Sequence, residues 1–112
     1  MDWKQRLQGH LREALRVQDE TRVNAIRLLM AALEKAQEEM GKQAFDPSQP
    51  EETEMPPDRE QALSQQQIHE VIRAEVERRR ESVEQFRTHG QKERADSEDS
   101  ELAILAQYLT TI

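Results

Sequence analysis

The chain has 112 residues, a formal charge of -7, 35% hydrophobic residues, no cysteine and a mean hydropathy of -1.00. These figures fit one small domain with a thin core, exclude disulfides and thiolate metal sites, and disfavour a general binder of DNA or RNA, because attraction to phosphate needs a basic field. No run approaches the length of a membrane span and the start MDWKQRL lacks the apolar core of a signal peptide, so a cytoplasmic protein with no membrane or DNA partner is expected.

The first predicted element is an amphipathic helix over 2–17. Asp2 is a suitable N-cap, and Trp3, Leu7, Leu11, Ala14 and Leu15 recur at intervals of three and four. Gly9 falls inside it at a cost of roughly 1 kcal/mol relative to alanine, which suggests close approach of a neighbouring helix. Asp19 and Thr21 then mark a restart. A second helix is predicted over 20–40, where Val23, Ile26, Leu29, Met30, Leu33 and Met40 give a broad apolar face. That breadth suits the centre of a bundle, with Ala25, Ala31, Ala32 and Ala36 allowing close packing. Arg22 and Arg27 fall at its edges, and Gly41 is the expected stop.

Residues 42–63 contain all four prolines together with serine, glutamine and acidic residues, and read as a mobile linker. Phe45 and Met55 are its isolated apolar residues. The acidity of the chain is concentrated here, since residues 43–61 hold one Lys or Arg against six Asp or Glu. Residues 1–42 hold eight against seven, and residues 62–112 seven against ten, so a local basic face is compatible with the overall charge.

Ser64 with Gln67 forms a capping box that opens a long third helix over 64–88. Ile68, Ile72, Val76, Val83 and Phe86 line one side of it, and Gly90 can supply the left-handed residue that closes it. Arg73, Arg80 and Arg87, seven apart, form a basic stripe beside the apolar one. A fourth helix is predicted over 91–109, carried by Leu102, Leu105 and Leu109, with a first half polar enough to need charge pairs. The fold class is therefore all-α: an antiparallel bundle of four helices in one domain spanning 1–112.

Catalytic, cofactor and metal motifs are missing from the sequence. His69-Glu70 begins like the zinc-protease pattern, but Arg73 stands where the second histidine belongs. The three glycines are isolated, so no loop cradles a phosphate, and no serine has a nucleophile-elbow context. Glutamates interleave with the arginines at helical spacing, as in Glu77–Arg80 and Glu84–Arg87, which is the pattern of a solvated helix face. Arg78-Arg79-Arg80 therefore has two readings. One is pairing with Glu75, Glu77, Glu81 and Glu84. The other is a face for phosphate oxygens, which the planar guanidinium fork suits.

Three blocks carry a resemblance to a known family: LREALRVQDETRVNAIRLLMAALEKA at 11–36, RRESVEQFRTHG at 79–90 and ELAILAQYL at 101–109. In this order and spacing the chain resembles the YqeY-like family, whose members are related to the tail of the GatB subunit of the tRNA-dependent amidotransferase. It departs from the family pattern in its long proline-rich linker, in Arg94 where an apolar residue is common, in Thr110 where proline is usual, and in lacking the small C-terminal helical domain. The resemblance implies a helical N-terminal domain with an amidotransferase-type, carbon–nitrogen-ligase label and no chemistry of its own. On that basis the expected role is a non-catalytic accessory domain without cofactor, contacting tRNA or a tRNA-bound enzyme through Arg22, Arg27, Arg73, Arg79, Arg80 and Arg87. The alternative is a protein-interaction or self-association module using Trp3 or the 108–112 surface, with no RNA binding.

Overall fold

A computed structural model describes residues 2–44 and 63–111, with the backbone alone at 41–44 and 111. Its elements are four helices: α1 (Trp3–Arg16), α2 (Glu20–Ala44), α3 (Gln65–Thr88) and α4 (Lys92–Thr111). Capping fixes where three of them start. The Asp2 carboxylate accepts the Gln5 N–H at 2.8 Å and caps α1. Ser64 and Gln67 make both bonds of the expected capping box at the start of α3, at 2.8 and 3.1 Å.

The two corners between helices share one geometry. At the end of α3, Gly90 has φ +75°; its N–H bonds Arg87 O at 3.1 Å and the Gln91 N–H bonds Phe86 O at 2.8 Å. This pair of bonds is the Schellman motif, which satisfies carbonyls that the helix leaves open. The end of α1 repeats it with Gln18 in the left-handed position, at φ 58°. There the Gln18 N–H bonds Leu15 O at 3.2 Å and the Asp19 N–H bonds Ala14 O at 2.9 Å. Asp19 then caps α2 by accepting the Arg22 N–H at 3.1 Å. Each corner thus takes three residues and returns the chain as a helical hairpin.

The hairpins meet across α2, which packs on all three other helices, whereas among the described residues α1 packs on α2 alone. The central role expected of α2 holds. Leu7, Ile26, Leu29, Leu33, Ile72 and Leu105 are fully buried, and each contributes about 2–3 kcal/mol by its removal from water. The broad face of α2 buries on three sides, and Ala25 is fully enclosed, though Ala31 faces solvent.

Several expectations are corrected. Helix α2 runs through Gly41 to Ala44, because one glycine inside a helix lowers stability without breaking it. Of the linker expected over 42–63, residues 42–44 are therefore helical and Leu63, 9% exposed, belongs to the core. The residues between, with Phe45 and Met55, lie outside those described. A Cβ built on Gly9 meets nothing within 4 Å, so this glycine serves no close approach. Trp3 is buried, not a free docking side chain, while Leu15 leaves the apolar face and is 48% exposed.

Candidate functional site

Two groups of charged side chains stand out, and the helix packing separates them. The first lies along the α3–α4 hairpin. Arg79 pairs with both Glu98 and Glu101 across the hairpin, with only 22% of its side chain exposed. Arg87 reaches Asp96 at 3.5 Å and Asp99 at 3.6 Å. The acids of each pair stand three apart on α4, so each arginine addresses two successive turns. The polar first half of α4 is thus held to α3 by cross-helix charge rather than by pairs along its own length. The Glu84–Arg87 pair expected along α3 is replaced by these contacts.

The remaining arginines of α3 divide. Arg80 pairs with Glu77 at 2.9 Å, both well exposed, as expected for a solvated face. Arg78 pairs with Glu75 at 2.8 Å. Glu75 is a carboxylate placed among the apolar positions of α3 and only 7% exposed, and it keeps its charge satisfied through Arg78. Arg73 is exposed and, like Arg27 on α2, forms no ion pair among the described residues. At the hairpin tip the Arg94 guanidinium lies 4.6 Å from the Phe86 ring centre. The flat face of the guanidinium covers the ring there as a hydrophobic side chain would.

The second group surrounds a cleft between α1 and α4, floored by the start of α2. Because α1 and α4 both lean on α2 without packing on each other, a gap of about 650 Å³ remains between them. Arg6, His10 and Glu13 of α1, Arg22 of α2, and Gln107 and Tyr108 of α4 line it. His10 Nδ1 and the Tyr108 hydroxyl lie 2.7 Å apart, with the rings 5.7 Å between centres, and bridge the gap. Burial pushes the Tyr108 phenol up from its ordinary value, while the nearby Arg22 charge opposes that rise. Glu13 is drawn to Arg16, whose hydrogen bond lowers its pKa. Arg22 touches Asp19 loosely, through Nε at 3.5 Å.

The six arginines singled out by sequence therefore do not form one face. Arg79 and Arg87 meet α4, Arg80 and Arg73 stay on the open side of α3, Arg27 stands exposed on α2, and Arg22 belongs to the cleft. Sequence reasoning passed over His10 and Tyr108 as a pair. Their only signal was position: His10 follows Leu7 by three and Tyr108 follows Leu105 by three, at the margins of two apolar stripes. Among the described residues no three His, Asp or Glu side chains gather as a metal site would require, and no helix is long and apolar enough to cross a membrane.

Comparison with known proteins gives one positive result. The family described as Yqey-like protein matches over residues 4–111, nearly the whole chain. No curated protein matches it significantly.

Proposed function

The chain belongs to the YqeY-like family, and from that premise we propose that it is a non-catalytic accessory domain of the tRNA-amidotransferase type that contacts RNA through arginines not engaged by carboxylates. The observation that carries this reading is the unequal use of the arginines. Arg27 and Arg73 are exposed and form no ion pair among the described residues, whereas Arg79 and Arg87 are engaged within the hairpin. An exposed guanidinium meets a phosphate oxygen without first losing a carboxylate partner. Arg22 and Arg80 are secondary contacts, since each must first leave a partly or well-exposed pair, with Asp19 and Glu77 respectively. Protein association alone has less support, because Leu15 and Val17 are the only large apolar side chains exposed among the described residues.

Binding of unfractionated tRNA by the full chain across a salt series tests the reading. The double variant Arg27→Glu, Arg73→Glu should bind more weakly, with a salt slope smaller by about 1 for each phosphate that is no longer neutralised. Absence of binding at low salt, or a double variant that binds like the parent, rejects it.

A further inference from the structure

We propose that the tip of the α3–α4 hairpin is a stacking site for an unpaired nucleotide of single-stranded RNA, with the base laid on the outer face of the Arg94 guanidinium. The proposal rests on the RNA reading above and adds a second contact to it, one that takes a base where Arg27 and Arg73 meet phosphates.

The first observation is an aromatic ring that the core does not use. Phe86, in the last turn of α3, is half-buried and stands apart from the apolar side chains that pack on the core. Its cover is a charged side chain, the Arg94 guanidinium at 4.6 Å from the ring centre. Arg94 is exposed and forms no ion pair among the described residues, although α4 carries carboxylates at Asp96, Glu98, Asp99 and Glu101. Arg79 and Arg87 of α3 take those acids instead. A guanidinium plane with an aromatic ring behind it and solvent in front is a platform for a base. Every base has a π-face that can lie on such a plane, so stacking there needs no particular sequence.

Charge at the tip favours a polyanion. Between Gln85 and Ala95 the chain holds Arg87, Lys92 and Arg94 against Glu93 alone, a local excess of positive charge in a chain of charge -7. Arg87 is turned to Asp96 and Asp99, but Lys92 is exposed and forms no ion pair among the described residues. A phosphate next to the stacked base therefore meets Lys92. The platform is also in place before a ligand arrives. Gly90 and the two Schellman bonds set the end of α3 against the start of α4, and His89 Nδ1 donates to Gln85 O at 2.7 Å, which ties its ring to the same turn. A platform already ordered loses little further freedom on binding.

The probes are a short end-labelled strand of oligoadenosine, the same strand annealed to its complement, and an abasic strand of the same length. Each is titrated with the full chain and followed by fluorescence anisotropy. Arg94→Lys keeps the charge and removes the plane. It should weaken binding of the single strand about tenfold, as for loss of one stacked base, and change the duplex and the abasic strand by less than about twofold. The salt slope should stay that of the parent, because no charge is lost. Phe86→Leu should weaken the single strand several-fold by removing the ring behind the guanidinium. Thermal melting of both variants checks that the hairpin stays folded. Arg27→Glu with Arg73→Glu should weaken all three probes alike. A single strand that Arg94→Lys binds as the parent does, or a loss equal on all three probes, overturns the stacking site. If the Arg27 and Arg73 double variant has still lost affinity in that event, the function proposed above stands without the tip. If neither the probes nor tRNA bind at low salt, the RNA reading itself fails and the tip proposal fails with it.

Discussion

Replacing Arg79 by methionine separates its structural use from any role in binding. Methionine keeps most of the apolar stem and removes only the charge and the fork. The Arg79, Glu98 and Glu101 side chains are 22%, 20% and 14% exposed, so the group is neither fully desolvated nor on open surface. Breaking a buried pair costs about 3–5 kcal/mol, and breaking an exposed one about 0–1 kcal/mol. The expected loss for Arg79→Met is therefore about 2 kcal/mol, a fall in Tm of about 10 °C for a domain of this size. Urea unfolding followed by the fluorescence of the single tryptophan, Trp3, which is buried in the core, gives the stability directly. Arg80→Met is the control, since its pair with Glu77 is well exposed and contributes about 0.3 kcal/mol. In a double-mutant cycle with Glu98→Gln, the cost of Arg79→Met should shrink without vanishing, because Glu101 remains. A loss below about 0.5 kcal/mol for Arg79→Met would refute the reasoning and show that its pairs with Glu98 and Glu101 do not hold the hairpin.

Other outcomes follow from the corners, the core and the cleft. Gln18→Gly should raise stability by about 0.5–1 kcal/mol because Gln18 holds a positive φ, while Gly90→Ala should lower it by about 1–2 kcal/mol, both read from thermal melts. Opposite signs at two corners with the same bonds isolate backbone strain as the cause, since a Cβ at Gly90 meets no neighbour. Leu33→Ala should cost about 2–5 kcal/mol, as expected for a fully buried leucine, measured by urea denaturation. The Tyr108 phenol is raised in the folded state, so the folded chain holds its proton more tightly than the unfolded one. Its contribution to stability is complete below about pH 10, the ordinary phenol value, and is lost as pH rises through the raised one. Tyr108→Phe should remove that alkaline loss, and Arg22→Gln should move the phenolate absorbance transition of the single tyrosine to higher pH.

The element order was legible in the sequence because helix formation here follows local signals. Asp2, the Ser64–Gln67 box and Gly90 each act within a few residues, and the apolar spacing of three and four survives into the core at Ile26, Leu29, Leu33, Ile72 and Leu105. Less was legible where the partner lies far along the chain. Arg79 and Arg87 read as phosphate-facing because their acids, Asp96 to Glu101, belong to another helix. Gln18 carries no local mark of its left-handed backbone. Leu63 and Ala44 read as linker on composition alone, although burial and helix continuation decide otherwise.

The same two corner geometries lead to different surfaces because of what lies beyond them. Helix α4 is drawn onto α3 by four carboxylates and two arginines, which closes that hairpin along its length. It also rests on α2, where Leu105 is buried. Among the described residues helix α1 has no second support of that kind, since it packs on α2 alone and reaches α4 through polar side chains such as His10 on Tyr108. A gap must remain on that side, and the side chains at its edges are the polar ones that flank each apolar stripe. The charges that secure the fold and those that face a cleft are therefore different residues on different helices. Substitution at Arg22 or Tyr108 should leave the α3–α4 hairpin closed, whereas substitution at Arg79 should loosen it without altering the cleft.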